Sequence, residues 1–462
     1  MKSNIRTPQA RTYEGAPSPI LDPERQLRRS VMSNMLFEDE FYEDGESIAG
    51  RIQSLCSQVS FDALVRCAID ARERFKLRHV PLLLLREALR HPSKPGRKAG
   101  DLISRVIQRP DEMGELLALY RKTGGKGEPA QLKQGLARAF GKFSEYSLAK
   151  YRGDGAEFKL RDILFLCHAK PKDEAQTVLF KKIADNTLST PDTWEVGLST
   201  GGDKKETFER LLTENKLGAL ALLRNLRNMI GAGVSEDLIR RGLREMKTER
   251  VLPFRFITAA KYAPRLEDAL EEAMFKCLAE SPRIEGKTAL LVDHSHSMDQ
   301  TVSAKSEVTR FQAAAALGMI LREKAERVRV FTFSDQLIQI APRRGFAMYS
   351  GLNYVRRPAG TFLGSAVKAV YKHFPECERI IVITDEQSAD RPGHPQGRGY
   401  IVNVASAKQG IAYGPWLAID GWSEAVLDFI REYEAEDAGP TRTGRMSGNT
   451  LHSSNSPKEG EG

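Results

Sequence analysis

Between residues 22 and 280, apolar residues recur at three- and four-residue spacing in one short segment after another, with no strand-like alternation of any length. FDALVRCAIDARERF, VPLLLLREALR, ELLALYRK, AQLKQGLARAFGKF, KLRDILFLCHAK, TFERLLTE, KLGALALLRNLRNM and EDALEEAMFKCLAE all carry the pattern. This period gives each helix one apolar stripe, which it must bury against another helix. Short Gly, Pro or Asp breaks separate the segments, so the stripes are expected to close on one another in series. The prediction is an α-solenoid of HEAT-like hairpins over residues 23–282. Asp22 before Pro23 is a cap-then-proline helix start. Residues 1–22 are polar, with several prolines and glycines, and read as a loose arm.

After Gly286 the pattern changes. TALLVDHS is an apolar run ending in polar residues, as a buried parallel strand should be. VTRFQAAAALGMILREKAE reads as a long helix, RVRVFTFSD and LIQIAP as strands, GSAVKAVYKHF as a helix and RIIVITDEQ as another buried strand. GYIVNVAS, AYGPWLAID and the closing helix SEAVLDFIREYE complete the series. Strands alternating with helices predict a doubly wound α/β domain over residues 283–437. Residues 438–462 have too few apolar side chains to fold and read as a disordered tail. Five scattered cysteines without a CxxC argue against a disulfide framework or zinc site and for a reducing compartment, so a cytoplasmic location is expected; a monomer is expected as well. No apolar run is long enough to span a bilayer, and the start lacks a secretory h-region.

Three pieces of the α/β part belong together. Its first strand ends in Asp293, Ser295 and Ser297, a DxSxS pattern. Thr361 follows Gly360 ahead of a helix, and the strand RIIVIT runs into Asp385. All three fall at strand C-termini or in loops above them, where open α/β sheets bind ligands. Hydroxyls and carboxylates suit a hard divalent cation, Mg²⁺ first and Ca²⁺ or Mn²⁺ next, with a position left for a partner's acid. In this order the five residues resemble the metal-ion-dependent adhesion site of von Willebrand factor A domains. The interleaved His294 and His296 depart from that pattern and read as exposed loop histidines.

The net charge is +9, and residues 1–280 hold 48 Lys/Arg against 40 Asp/Glu, while the remainder hold 22 against 21. An acidic partner should therefore meet the helical part. Residues 131–173 are its most informative stretch. Leu132, Leu136, Phe140 and Phe143 form a buried stripe, while Arg138 and Lys142 share another face. Lys150, Tyr151 and Arg152 follow. Leu160, Ile163, Leu164 and Cys167 point inward, and Arg161, Phe165 and His168 share the opposite face, with Lys170 and Lys172 beyond. Cations for phosphates, with Phe and His for stacking, are what folded RNA and unpaired bases need. The same residues can equally be helix-end and surface cations.

LKQGLARAFGKFSEYSLAKYRGDG, KLRDILFLCHAKPKD, TPDTWEV, LGALALLRNLRNM, RVLPFRFITAAKY and AIDGWSEAVLDFI resemble, in order, the blocks of the TROVE module and its attached A domain, found in Ro autoantigens and their bacterial relatives. The resemblance spans residues 23–434. It implies a ring of HEAT-like helices closed by the A domain. Small noncoding Y-like RNAs would bind outside, and single-stranded 3′ ends of misfolded RNAs would enter the hole. Residue by residue, it carries the Y RNA contacts onto Lys150, His168 and Arg152. No sequence block marks the hole, for which Arg224 and Arg227 are the candidates. An exoribonuclease or another protein is a further implied partner through the metal site; a metal-dependent protein-interaction scaffold is the alternative function. Gly286-Lys287-Thr288 lacks the earlier glycine of a P-loop and precedes a strand. No catalytic triad can be assembled, and the expectation is a non-enzyme.

Overall fold

The computed structural model describes residues 11, 22–32, 45–93, 98–122, 127–152, 155–248, 251, 254–279, 283–302, 308–355, 360–405, 410–411, 414–421 and 425–437. Apart from Arg11 and Asp22, the expected arm lies outside these residues, as does the expected tail at 438–462.

Described residues from Pro23 to Ala279 are helical with short connections, and none lies in a named strand. The stripes read from sequence point inward. Leu132, Leu136, Phe140, Leu160, Ile163, Leu164 and Cys167 are buried, while Phe143 is only half-buried. Local chemistry fixes where helices begin. The side chains of Ser60, Ser144, Asp173, Thr193 and Asp203 each accept a hydrogen bond from a backbone N–H three residues on.

Local geometry also fixes where they end. The successive helices Leu160–Leu166, Glu174–Ala184, Trp194–Ser199, Lys204–Thr213 and Ala219–Gly231 each stop at a residue with positive φ: His168, Asn186, Gly201, Asn215 and Gly233. Each time the next residue's N–H bonds back over the last turn, as in Ala169 N–H to Leu164 O at 3.3 Å and Val234 N–H to Met229 O at 3.0 Å. This repeated stop turns the chain sharply at the end of each of these helices.

Among the described residues the α/β part holds six strands: β1 (Ile284–Asp293), β2 (Ala325–Phe333), β3 (Leu337–Gln339), β4 (Arg379–Thr384), β5 (Arg398–Asn403) and β6 (Leu417–Asp420). They form one mixed sheet in the order β3-β2-β1-β4-β5-β6, with only β3 antiparallel to its neighbour. β1 and β4 are central, and their apolar runs are buried on both faces. One face is covered by the helix Leu363–His373. The helix Arg310–Lys324 covers the other and packs in turn on Phe254–Tyr262 and Glu267–Ala279. Sandwiched this way it is apolar nearly all round, so it shows no amphipathic stripe.

Two main cores result. One runs from Leu27 to Leu188 and is built from helices and their connections. The other runs from Phe208 to Ile430, joining the later helices to the sheet. The first helix, Pro23–Met32, packs on β6, so the helical array meets the α/β part at both its ends. There the Arg29 guanidinium donates to Glu386 Oε2 at 2.7 Å. No helix among the described residues is long and apolar enough to cross a membrane.

Candidate metal-binding crevice and cationic faces

In the sheet order the chain leaves β1 toward β2 on one side and reaches β4 on the other, which opens a crevice at their C-terminal ends. β1 ends at Asp293, and Asp385 directly follows β4. Both carboxylates are fully buried. Asp293 accepts hydrogen bonds from the Thr384 hydroxyl and from the Ser295 N–H, the latter at 2.8 Å. The Ser295 and Ser297 hydroxyl oxygens lie 3.2 Å apart. Thr361 is held against the loop after Asp385: its carbonyl accepts from Ala389 N–H at 2.8 Å and from the Ser388 hydroxyl at 3.0 Å. Phe362 N–H donates to Ser334 O at 2.8 Å, tying in the loop after β2.

Burial pushes the Asp293 carboxyl above the usual range, and the nearby Asp385 charge pushes it further. Two buried carboxylates beside paired hydroxyls are an all-oxygen donor set, with the Arg310 guanidinium 3.8 Å from one of them. A hard divalent cation fits it. Among the described residues no group of three or more His, Cys, Asp or Glu is placed to hold a metal ion, so a cation here would depend on the serine and threonine hydroxyls beside the two carboxylates.

Two findings differ from the sequence reading. His294 is buried, not exposed: its N–H donates to Phe333 O, and its ring stacks on Phe311 at 4.8 Å between centroids. His294 directly follows β1, and Phe311 of the helix Arg310–Lys324 covers its ring. His296 is exposed as expected and lies 3.7 Å from Asp299. The second finding is Arg310, which sequence reasoning missed. It is buried with its guanidinium 3.8 Å from Asp385 Oδ2, and burial pushes its pKa down. A readable signal existed, because an arginine at the first position of a long helix opposes the helix dipole.

The cationic side chains of the helical part fall into separate groups. Arg138 pairs with Asp101, and Lys142 donates to the carbonyls of Ser104 and Ile107 at the end of the helix Lys98–Val106. Lys150, Tyr151 and Arg152 line a cavity of about 400 Å³ together with Ser189, Thr190 and Thr193. Arg152 also lines an adjoining cavity of about 140 Å³, with Lys159 and Arg161. The Arg161 guanidinium sits 5.9 Å over the ring of Phe165, itself 55% exposed. His168 and Lys170 stand exposed at the other end of that helix. Sequence reasoning missed Lys159 and the three hydroxyls, because only the tertiary fold brings residues 189–193 to Lys150.

Arg224 and Arg227 are both exposed on Ala219–Gly231. Arg227 lies 5.5 Å over the ring of Tyr262, which Lys261 also approaches. Arg255, not singled out from sequence, belongs here too. Crowding by protein lowers its guanidinium pKa, and the neighbouring Arg224 charge lowers it further.

The fold is thus a helical array that meets a mixed α/β sheet at both ends, with separate cationic groups on its helices. Residues 184–337 match the family model described as the TROVE domain. Telomerase protein component 1 of Rattus norvegicus and of Mus musculus are each 37% identical to this chain over 89 residues. That stretch is 18% of this chain and spans only 3% of either relative's length. The crystal structure of the Ro protein (RSR) of Deinococcus radiodurans superposes with a TM-score of 0.58 at 18% identity, covering 90% of this chain and all of that one. Residues 184–337 are thus similar to the TROVE domain, and the fold of the chain is that of the Ro protein.

Proposed function

We propose that this protein is the RNA-binding scaffold of a ribonucleoprotein particle and not an enzyme. The observation that carries the reading is the meeting of Lys150, Arg152, Lys159 and Arg161 around two adjoining cavities, beside hydroxyls and an exposed Phe165. Guanidinium and ammonium groups suit phosphates, and the aromatic ring suits an unpaired base. On this reading a small structured Y-like RNA lies on the outer face, with His168 and Lys170 extending it. The helices form a ring that the docking of Pro23–Met32 on β6 closes. Arg224, Arg227 and Arg255 form a second cationic cluster that guides a single-stranded 3′ end. The test is salt dependence of RNA affinity. Neutralising about five phosphates on single strands gives a slope of log K on log[salt] near about −3.5. Lys150→Ala with His168→Ala should weaken a structured RNA more than a free 3′ tail. A flat salt response, or equal losses for both ligands, would sink the reading.

A second function is supported by the buried carboxylate pair. Asp293, Ser295, Ser297, Thr361 and Asp385 would hold Mg²⁺ as in a von Willebrand factor A domain, and the cation would offer an open position to an acidic group of a protein partner. No residue of this set is placed as a general base, which favours docking over hydrolysis. Asp293→Ala should abolish a Mg²⁺-dependent partner in pull-downs with and without EDTA while leaving RNA affinity unchanged. Loss of RNA binding in that variant would refute the division of roles.

A further inference from the structure

The peptide Asp385–Glu386 faces two ways. Asp385 belongs to the crevice at the end of β1 and β4. Glu386, one residue on, is fully buried and accepts the hydrogen bond from Arg29, 357 residues away in the chain. Arg29 itself is 0% exposed, and its guanidinium also lies 3.9 Å from Asp420 Oδ1 at the end of β6. Glu386 has a φ of 61°, a left-handed conformation that a side chain does not adopt without support. Its backbone N–H donates to Thr384 Oγ1 at 3.0 Å, and the same hydroxyl donates to Asp293. Glu386 is thus fixed through its main chain to the two acid-bearing strands and through its side chain to the first helix.

Close packing leaves no slack around this pair. A Cβ at Gly410 would run into both Glu386 Oε2 and Arg29 Nη2. Gly421, with a φ of 105°, lets the chain after β6 pass against Phe75 and Met32 of the helical part. Charged groups this deep in the interior hold their place only while their partners do.

We propose that the Arg29–Glu386 pair is a latch that makes cation binding at Asp293 and Asp385 and the docking of Pro23–Met32 on the sheet support each other. The inference rests on the metal-site reading above. A cation that holds the Asp385 carboxylate in place also holds the next residue in its left-handed conformation, the one in which Glu386 meets Arg29. The coupling is reciprocal, so undocking the helix must weaken the cation to the same degree. Opening of the helical array at its first helix is then governed by the occupancy of the crevice.

The test uses the full chain with Mn²⁺ as probe. Affinity is read from the electron paramagnetic resonance of free Mn²⁺, and docking from amide hydrogen exchange of residues 23–32. In the wild type, saturating Mn²⁺ should slow that exchange by about tenfold. Arg29→Met should weaken Mn²⁺ by a similar factor and abolish the slowing. Arg29→Lys, which keeps the charge and loses the fork, should fall between; it serves if Arg29→Met does not fold. Unchanged exchange in Ala219–Gly231 identifies a folded variant. Equal Mn²⁺ affinity in wild type and folded variants, with exchange at 23–32 indifferent to Mn²⁺, would overturn the latch alone. A wild type that binds no Mn²⁺ would overturn the metal reading and the latch with it.

Discussion

His168 occupies a backbone position that suits glycine and costs another residue about 1 kcal/mol. The four helix ends that follow it in the series carry only asparagine or glycine, the residues that tolerate it best, while Lys76 stands at an earlier one. Histidine there holds an exposed imidazole at the edge of the cationic face. His168→Gly is expected to raise stability by about 0.5 kcal/mol in thermal unfolding, part of the relief being offset by a freer unfolded chain. It should also weaken structured RNA in a binding titration. A destabilised variant would mean that the imidazole contributes to the fold. At this scale the placement of the candidate residues was legible, because Asp293 and Asp385 stand at strand ends that the apolar runs define, with Ser295 and Ser297 just beyond β1 and Thr361 in the loop ahead of Leu363–His373. Arg310 and the burial of His294 were not, since each depends on what packs against the residue from across the sheet.

Glu145 shows how one element is attached to another. It is the first residue of the helix Glu145–Lys150, and its carboxylate accepts from Lys182 Nζ at 2.7 Å and from the Ser189 hydroxyl at 2.8 Å. The Lys182 hydrogen bond, with those from Ser189, lowers its pKa to about 2. A lowered carboxyl stabilises the folded state above its unfolded pKa of about 4.3, and the contribution disappears as pH falls toward the folded value. Glu145→Gln should therefore lose about 0.5 to 1 kcal/mol in urea unfolding at pH 7, a modest effect because the pair is partly solvated. Near pH 2 the variant and the wild type should converge; a difference that persists in acid would contradict this assignment. Helix existence was legible through the stripes, and the stops at Asn186, Gly201, Asn215 and Gly233 through their residue types. The attachment of residues 189–193 to Glu145 was not, as nothing local encodes a contact 44 residues long.

Across the whole molecule, secondary structure changes type near Ile284, yet the core does not break there. Phe256, Ile257, Leu270 and Met274 share one apolar cluster with Phe311, Leu317 and Ile320 of the helix against the sheet. The periodicities showed two kinds of architecture but could not show that they share an interior, because period reports only which face is buried and not against what. Residues 283–462 produced alone should expose the outer face of Arg310–Lys324. Strong binding of an apolar fluorescent dye is expected, absent in the full chain. A fragment that stays dye-silent and unfolds cooperatively would show that the sheet folds without its helical neighbours.

The passage between the two interiors lies instead at Ser189–Thr193, which follows Leu188, the last residue of the first core, and precedes Trp194, already packed on the second. That short strip is also one wall of the cavity whose other wall carries Lys150 and Arg152. Whatever fills the cavity touches both halves across their joint and acts on them as a splint. Occupancy would then be felt as stiffness, and a protease offered the strip would find its cutting site guarded only while the cavity is filled.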